Sequence, residues 1–260
     1  MDIRKQNLTR YIIPLREGGS LPALAEADDG FKYVVKFRGA GHGEKALVAD
    51  FMGSEIARAA GMKVPEQVFL ELDEYFGQAE GDEEIQDLLK WSRGLNLGIH
   101  YLQGAMTADP YVNPVDALLA SQIVWLDTFI TNVDRTIKNT NMLLWHNEIW
   151  LIDHGASFYF HHSWGDWQKS ALTQFPYIKD HALLHKATRM NEADAMMRGR
   201  LTPEVLSEIV DAIPSGWLRW DEGTEEDERE RREVYRNFLM KRLKEVDFVK
   251  IAEDARAKQI

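Results

Sequence analysis

Three polar side chains fall in an order that suits phosphoryl transfer. Asp134 and Asn139 stand five residues apart in the loop TNVDRTIKNTN, and Asp153 closes the apolar stretch IWLID. One carboxylate can orient a hydroxyl and take its proton. An amide and a second carboxylate can hold Mg²⁺ on the phosphates of a nucleotide. Taken singly, these residues are ordinary loop chemistry, because Asn and Asp bond their own backbone. Asn147 suits a hairpin turn, and Asp153 could cap a helix. The order Asp, Asn, Asp around one hairpin is what favours chemistry over turn formation.

The elements that must position them can be read from pattern. An apolar helical stretch, DALLASQIVWLDTFIT, leads into the loop, and Asp127 on it either braces the loop or is exposed. MLLW is a short strand, His146-Asn147-Glu148 a turn, and IWLID a return strand ending on Asp153 before Gly155. Upstream, residues 8–16 read as a strand broken at Gly18-Gly19-Ser20, and LPALAEAD as a second strand turning at Asp28-Asp29-Gly30. In FKYVVKF, Phe31, Tyr33, Val35 and Phe37 alternate with Lys32, Val34 and Lys36, so Lys36 lies on the face opposite the aromatics. A lysine there is either solvated or a phosphate ligand. Residues 44–61 read as a helix capped by Gly61, EQVFLELD as a strand, 73–90 as an exposed acidic insertion with one helix, and 95–102 as a strand.

The pair NVDRTIKNTNMLL and IWLIDHG resembles the catalytic and metal-binding motifs of the HipA-like kinases, bacterial relatives of the protein-kinase fold. Phosphatidylinositol kinases carry similar motifs. Protein kinases place Arg before the catalytic Asp, whereas here Arg135 follows Asp134. The resemblance spans residues 8–217 and is strongest over 124–156. It implies an α+β, bilobal fold with a small β-rich lobe over residues 1–103 and a larger, mainly helical catalytic lobe over 104–260. It implies ATP and Mg²⁺ as cofactors. Asp134 would be the catalytic carboxylate, Asn139 and Asp153 the metal ligands, and Lys36 the phosphate-clamping lysine. Asp50 would be its helix partner, with Glu55 as rival. Gly18, Gly19 and Ser20 would cover the phosphates, with RGAGHG at 38–43 as a second candidate. His100, Tyr101 and Leu102 would border adenine. The acceptor implied is a protein Ser/Thr hydroxyl. A small molecule, a lipid headgroup, AMP transfer on the same fold, and a nucleotide-binding pseudokinase or interaction module stand as alternatives. HipA toxins carry a further amino-terminal subdomain and act with a DNA-binding antitoxin. This chain starts almost at the kinase strands, so that partnership is not expected to carry over.

The rest of the chain is consistent with a globular enzyme. Its 260 residues are 45% hydrophobic and include no cysteine, which excludes disulfides and thiolate chemistry. No signal-peptide pattern and no membrane-spanning run is present, and a cytoplasmic protein is expected. A net charge of −11 argues against an extended nucleic-acid face. After Gly155, ASFYFHHSWGDWQKS stands where a kinase activation segment would. His161, His162 and Asp166 match no zinc spacing there, and Ser157, Ser163 and Ser170 are conceivable autophosphorylation sites. Trp217 and Trp220 are expected to plug a helix junction, and 221–247 to form a charged helix with a solvated face.

Overall fold

The computed structural model describes residues 1–15, 21–41, 43–77 and 81–258. Five strands close a barrel in the order β1 (Lys5–Pro14), β2 (Ala23–Ala27), β3 (Lys32–Lys36), β5 (Gly94–His100), β4 (Gln67–Leu72). All neighbours are antiparallel except β1 and β4, whose parallel pairing closes the ring. The period of two sorts side chains between two cores. Tyr33, Val35, Val68 and Leu70 fill the barrel, and small Ala23, Ala25 and Ala27 make room for them. Phe69, Leu97 and Ile99 point the other way, into the main core. Gly98 sits where a Cβ would come 2.4 Å from Leu70 Cδ1, so the barrel closes only around a glycine. The acidic insertion forms α2 (Glu83–Trp91), capped by the Asp82 carboxylate. It is more than an exposed excursion, because Ile85, Leu88 and Leu89 are buried against the barrel.

Helix α1 (Gly43–Ala59) crosses from the barrel to the helical region. It ends as expected at Gly61, whose φ of +83° frees Met62 N–H to bond Ala57 O at 3.0 Å. Residues Leu47 to Ala57 are buried all round. The carboxy-terminal region holds α3 (Ala117–Ile130), the short sheet β6 (Met106–Thr107), β7 (Met142–Trp145) and β8 (Glu148–Leu151), then α4 (Trp167–Leu172), α5 (Met190–Arg200), α6 (Pro203–Asp211), α7 (Glu225–Glu245) and α8 (Phe248–Ala257). Helices α5 and α8 have no counterpart in the sequence reading. His146 and Asn147, both at positive φ (49° and 64°), make the two-residue β7–β8 turn. The protein is thus α+β, β-rich at its amino-terminal end and helical beyond. Among the described residues, no helix is long and apolar enough to cross a membrane.

The two regions share one core. Trp217 is 1% exposed, meets Phe51 and Phe69 edge-on, and donates its indole N–H to Leu95 O at 2.9 Å. The plug expected of Trp217 therefore joins α1, β4 and β5 to the helices. Helix α7 is less solvated than its Glu/Arg run suggested, since Val234, Tyr235, Phe238, Leu239 and Arg242 are buried. His161 is buried against it, 2.8 Å from the Tyr235 hydroxyl, and serves packing. Ser157 is buried too, which removes it as an accessible phosphorylation site.

Trp217→Ala should cost about 3–5 kcal/mol, read as a lower urea midpoint with little change in slope. Burial, then His162 and Lys45, hold the His161 pKa well below its ordinary value. Below about pH 6.5, the unfolded chain binds a proton there that the folded chain refuses. This contribution to stability is present above that pH and is lost on acidification, at up to about 1.4 kcal/mol per pH unit. His161→Phe should make the stability profile between about pH 6.5 and 4 shallower.

Candidate active site

The loop between α3 and β7 owes its shape to a buried carboxylate. Asp127 is fully buried near the end of α3. Its Oδ2 accepts from Arg135 Nε at 2.6 Å and from His181 Nε2 at 2.9 Å, and its Oδ1 from Asn132 Nδ2 at 3.0 Å. Burial alone would raise the Asp127 pKa, but Arg135 and His181 outweigh it and hold the carboxyl well below its usual range. His181 Nδ1 accepts from Leu183 N–H at 3.0 Å, which leaves Nε2 as the protonated nitrogen that donates to Asp127. Arg135 also donates to the carbonyls of Thr140 and Asn141. Asp127 thus braces the loop through the side chains of its partners. Arg242 on α7 fixes the same end of α3 from outside, donating to Thr128 O, Phe129 O and Ala171 O at 2.6–2.8 Å.

On that brace stands Asp134. Asn132 Oδ1 accepts from its backbone N–H at 3.1 Å. Its Oδ2 accepts from Asn139 Nδ2 at 2.7 Å and from Asn141 Nδ2 at 3.2 Å. Both amides converge on one oxygen, which leaves Oδ1 for another partner. Asn141 holds its place at a φ of +46°, a conformation Asn tolerates better than most residues.

Across the cleft, β3 delivers Lys36 on the face away from Tyr33 and Val35. Lys36 Nζ lies 2.6 Å from Asp50 Oδ2 on α1 and 2.6 Å from Asp153 Oδ1. Burial opposes the ammonium charge, but Asp153 and then Asp50 outweigh it and raise the Lys36 pKa. Lys36 in turn holds the Asp153 carboxyl below its usual range, whereas burial raises that of Asp50. Asp50 has a second duty: its Oδ1 accepts from His154 N–H at 2.8 Å. The segment carrying Asp153 is thereby fixed to α1. The contact is close because residue 53 is glycine; a Cβ there would lie 2.5 Å from His154 Cβ. Burial and Arg135 pull the His154 pKa down to about 3, so its ring is neutral, with Nδ1 3.1 Å from Ser54 Oγ.

Lys36, Asp134, Asn139, Asn141, Asp153 and Gly155 line one cleft of about 910 Å³. Its apolar wall includes Val34, Leu47, Met142, Leu143 and Ile152. Several expectations need correction. β8 ends at Leu151, and Asp153 follows two residues later at a φ of +54°. Glu55 pairs with Arg58 at 3.3 Å, so the acid that meets Lys36 is Asp50. His100, Tyr101 and Leu102 do not border the cleft. His100 is in register with Tyr33 and packs on it at 5.9 Å, on the face opposite Lys36. Tyr101 N–H is taken by Lys32 O, Leu102 O accepts from Ala105 N–H, and the Leu102 side chain is buried. Thr107, further along the chain, lines the cleft instead. Gly18, Gly19 and Ser20 lie outside the described residues. Their neighbours Pro14, Leu15 and Pro22 line the cleft. In the second glycine cluster, Ala40 and Gly43 reach the cleft, while Gly39 packs against the end of α2, where a Cβ would come 2.7 Å from Trp91. Sequence reasoning missed Asn132, Asn141, His154 and His181.

A family model described as HipA-like kinase matches residues 9–251, so the chain belongs to the HipA-like kinase family. Among solved structures, the chain is similar to the crystal structure of a Helicobacter pylori proinflammatory kinase, CtkA. The TM-score is 0.61 at 12% identity over 100% of each chain, a likeness of fold. No curated protein matches the sequence.

Asp127→Asn should destabilise the protein by about 3–5 kcal/mol, because it leaves the Arg135 charge buried without its counter-ion. Chemical denaturation measures this directly, and a loss below about 1 kcal/mol would contradict the brace.

Proposed function

We propose that the protein transfers the γ-phosphate of ATP to a hydroxyl, most simply that of a protein Ser or Thr. The observation that carries this reading is Lys36, held between Asp50 and Asp153 in a cleft that Asp134 and Asn139 also line. In this reading residues 1–103 are the nucleotide-binding lobe and residues 104–260 the catalytic lobe. Leu15 and Pro22 line the cleft on the side of the barrel. The apolar wall, with Val34, Met142 and Ile152, takes the base.

The donor set fits Mg²⁺, which prefers oxygen ligands and leaves positions for phosphate and water. Asn139 gives its Nδ2 to Asp134, so its Oδ1 is the atom to ligate. Asp153 meets Lys36 through Oδ1, which leaves Oδ2 for the cation. When bound there, Mg²⁺ supplies charge neutralisation on the phosphates. The chain's own groups do the rest by positioning and electrostatics. Lys36 holds the α- and β-phosphates, with Asp50 fixing its ammonium. Asp134 Oδ1 accepts the hydroxyl hydrogen bond and takes the proton late, as the new O–P bond forms and ADP departs with the electrons of the broken bond. The amides of Asn139 and Asn141 keep the other Asp134 oxygen in place.

Calorimetric titration with ATP tests the reading. Wild type should bind ATP in a Mg²⁺-dependent way, Asp153→Ala should lose that dependence, and Asp134→Asn should bind normally. Intact-mass analysis of acceptor mixtures should show added phosphate with wild type and none with Asp134→Asn. Lys36→Ala should transfer phosphate slower by orders of magnitude while remaining folded. An Asp134→Asn variant that still transfers phosphate, or wild type that binds no ATP, would overturn the proposal.

A further inference from the structure

The loop that carries Asp134 has a tip that the phosphoryl-transfer chemistry does not use. Thr136 and Asn139 exchange both backbone hydrogen bonds, Thr136 N–H to Asn139 O at 2.9 Å and Asn139 N–H to Thr136 O at 3.2 Å. Ile137 and Lys138 are therefore the two central residues of a closed turn. Both are exposed, Ile137 to 55%, and neither lines the cleft. The turn is held from behind by the Asp127 brace and from the side by a bridge between Thr136 and His181. An aliphatic side chain and a cation are thus fixed in water three and four residues beyond the carboxylate that faces the acceptor.

The surroundings of the tip agree in character. The bridge to His181 brings in the turn Pro176–Asp180, on which Tyr177 is 53% exposed. Tyr159 and His162 stand at the cleft itself, and Tyr159 is 58% exposed. Lys138 on the tip and Lys179 on the adjoining turn, both exposed, stand against Asp180 there, a local excess of positive charge in a protein of net charge −11. A locally cationic, partly apolar tip in an acidic protein is electrostatically suited to an anionic partner, and repels a basic one.

Resting on the kinase reading above, we propose that the acceptor is a Ser or Thr in an acidic peptide segment, with Lys138 pairing to an Asp or Glu and Ile137 packing on an apolar neighbour. Recognition by the tip is separate from nucleotide binding, because neither residue reaches the cleft.

A degenerate Ser/Thr peptide library, with one flanking position fixed at a time and radiolabelled ATP as donor, tests this. Mg·ATP affinity is measured alongside. Wild type should prefer Asp or Glu over Lys or Arg at one or more flanking positions by at least tenfold. Lys138→Glu should lower or invert that preference with Mg·ATP affinity unchanged, and Ile137→Ser should raise KM for the best peptide more than it lowers kcat. Preference for basic or neutral flanks, or a Lys138→Glu variant with the wild-type preference, would overturn the proposal. Mg·ATP binding without transfer to any peptide would overturn it while leaving the nucleotide site standing. Absence of Mg·ATP binding would instead overturn the kinase reading on which it rests.

Discussion

Lys36 has two carboxylates at 2.6 Å, one from α1 and one from the segment after β8. Three parts of the chain separated by 14 and 103 residues meet at that ammonium. Asp50 is wholly buried, so its charge depends on Lys36 and on the His154 N–H for compensation. Removing Lys36 leaves both carboxylates without their counter-ion, whereas removing either carboxylate leaves Lys36 paired with the other. The ion cluster is therefore also a geometric lock: it sets how β3, α1 and the Asp153 segment approach, and hence the shape of the cleft. Gly53 permits the approach, and Trp217 closes the same junction from the apolar side.

The second buried charge centre has a different task. Asp127 with Arg135 and His181 lies behind the loop, not in the cleft, and organises Asp134 only through the backbone and the neighbouring asparagines. The two centres divide the site between them. In the proposed reading, the first positions what would meet a nucleotide and the second what would meet an acceptor. Asn139 and Asn141, both on Asp134 Oδ2, orient the carboxylate.

Local signals made much of this legible. Period two put Lys36 opposite Tyr33 and Val35, and Gly61 ended α1 where its left-handed φ requires. The motif around Asp134, Asn139 and Asp153 was readable because its spacing is local. What failed depended on contacts between distant segments. His181 carries no sequence signal; it matters because its fold position is beside Asp127. Between Asp50 and Glu55 the sequence alone does not choose; glycine at position 53 lets α1 come close to the His154 segment, and Asp50 is the acid that meets Lys36. His100 was misplaced because a strand's end does not say which of its faces borders the cleft, and pairing with Tyr33 turned it inward. Helix α7 reads as solvated from its charges, although its few apolar residues face the core.

A crystal structure with Mg²⁺ and a non-hydrolysable ATP analogue tests whether the Lys36 cluster is a nucleotide site. Phosphate oxygens should lie on Lys36, a cation should be shared by Asn139 and Asp153, and the base should lie against Val34, Met142 and Ile152. An analogue that leaves the cleft empty, or that binds with its phosphates away from Lys36 and Asp153, would contradict a nucleotide site there.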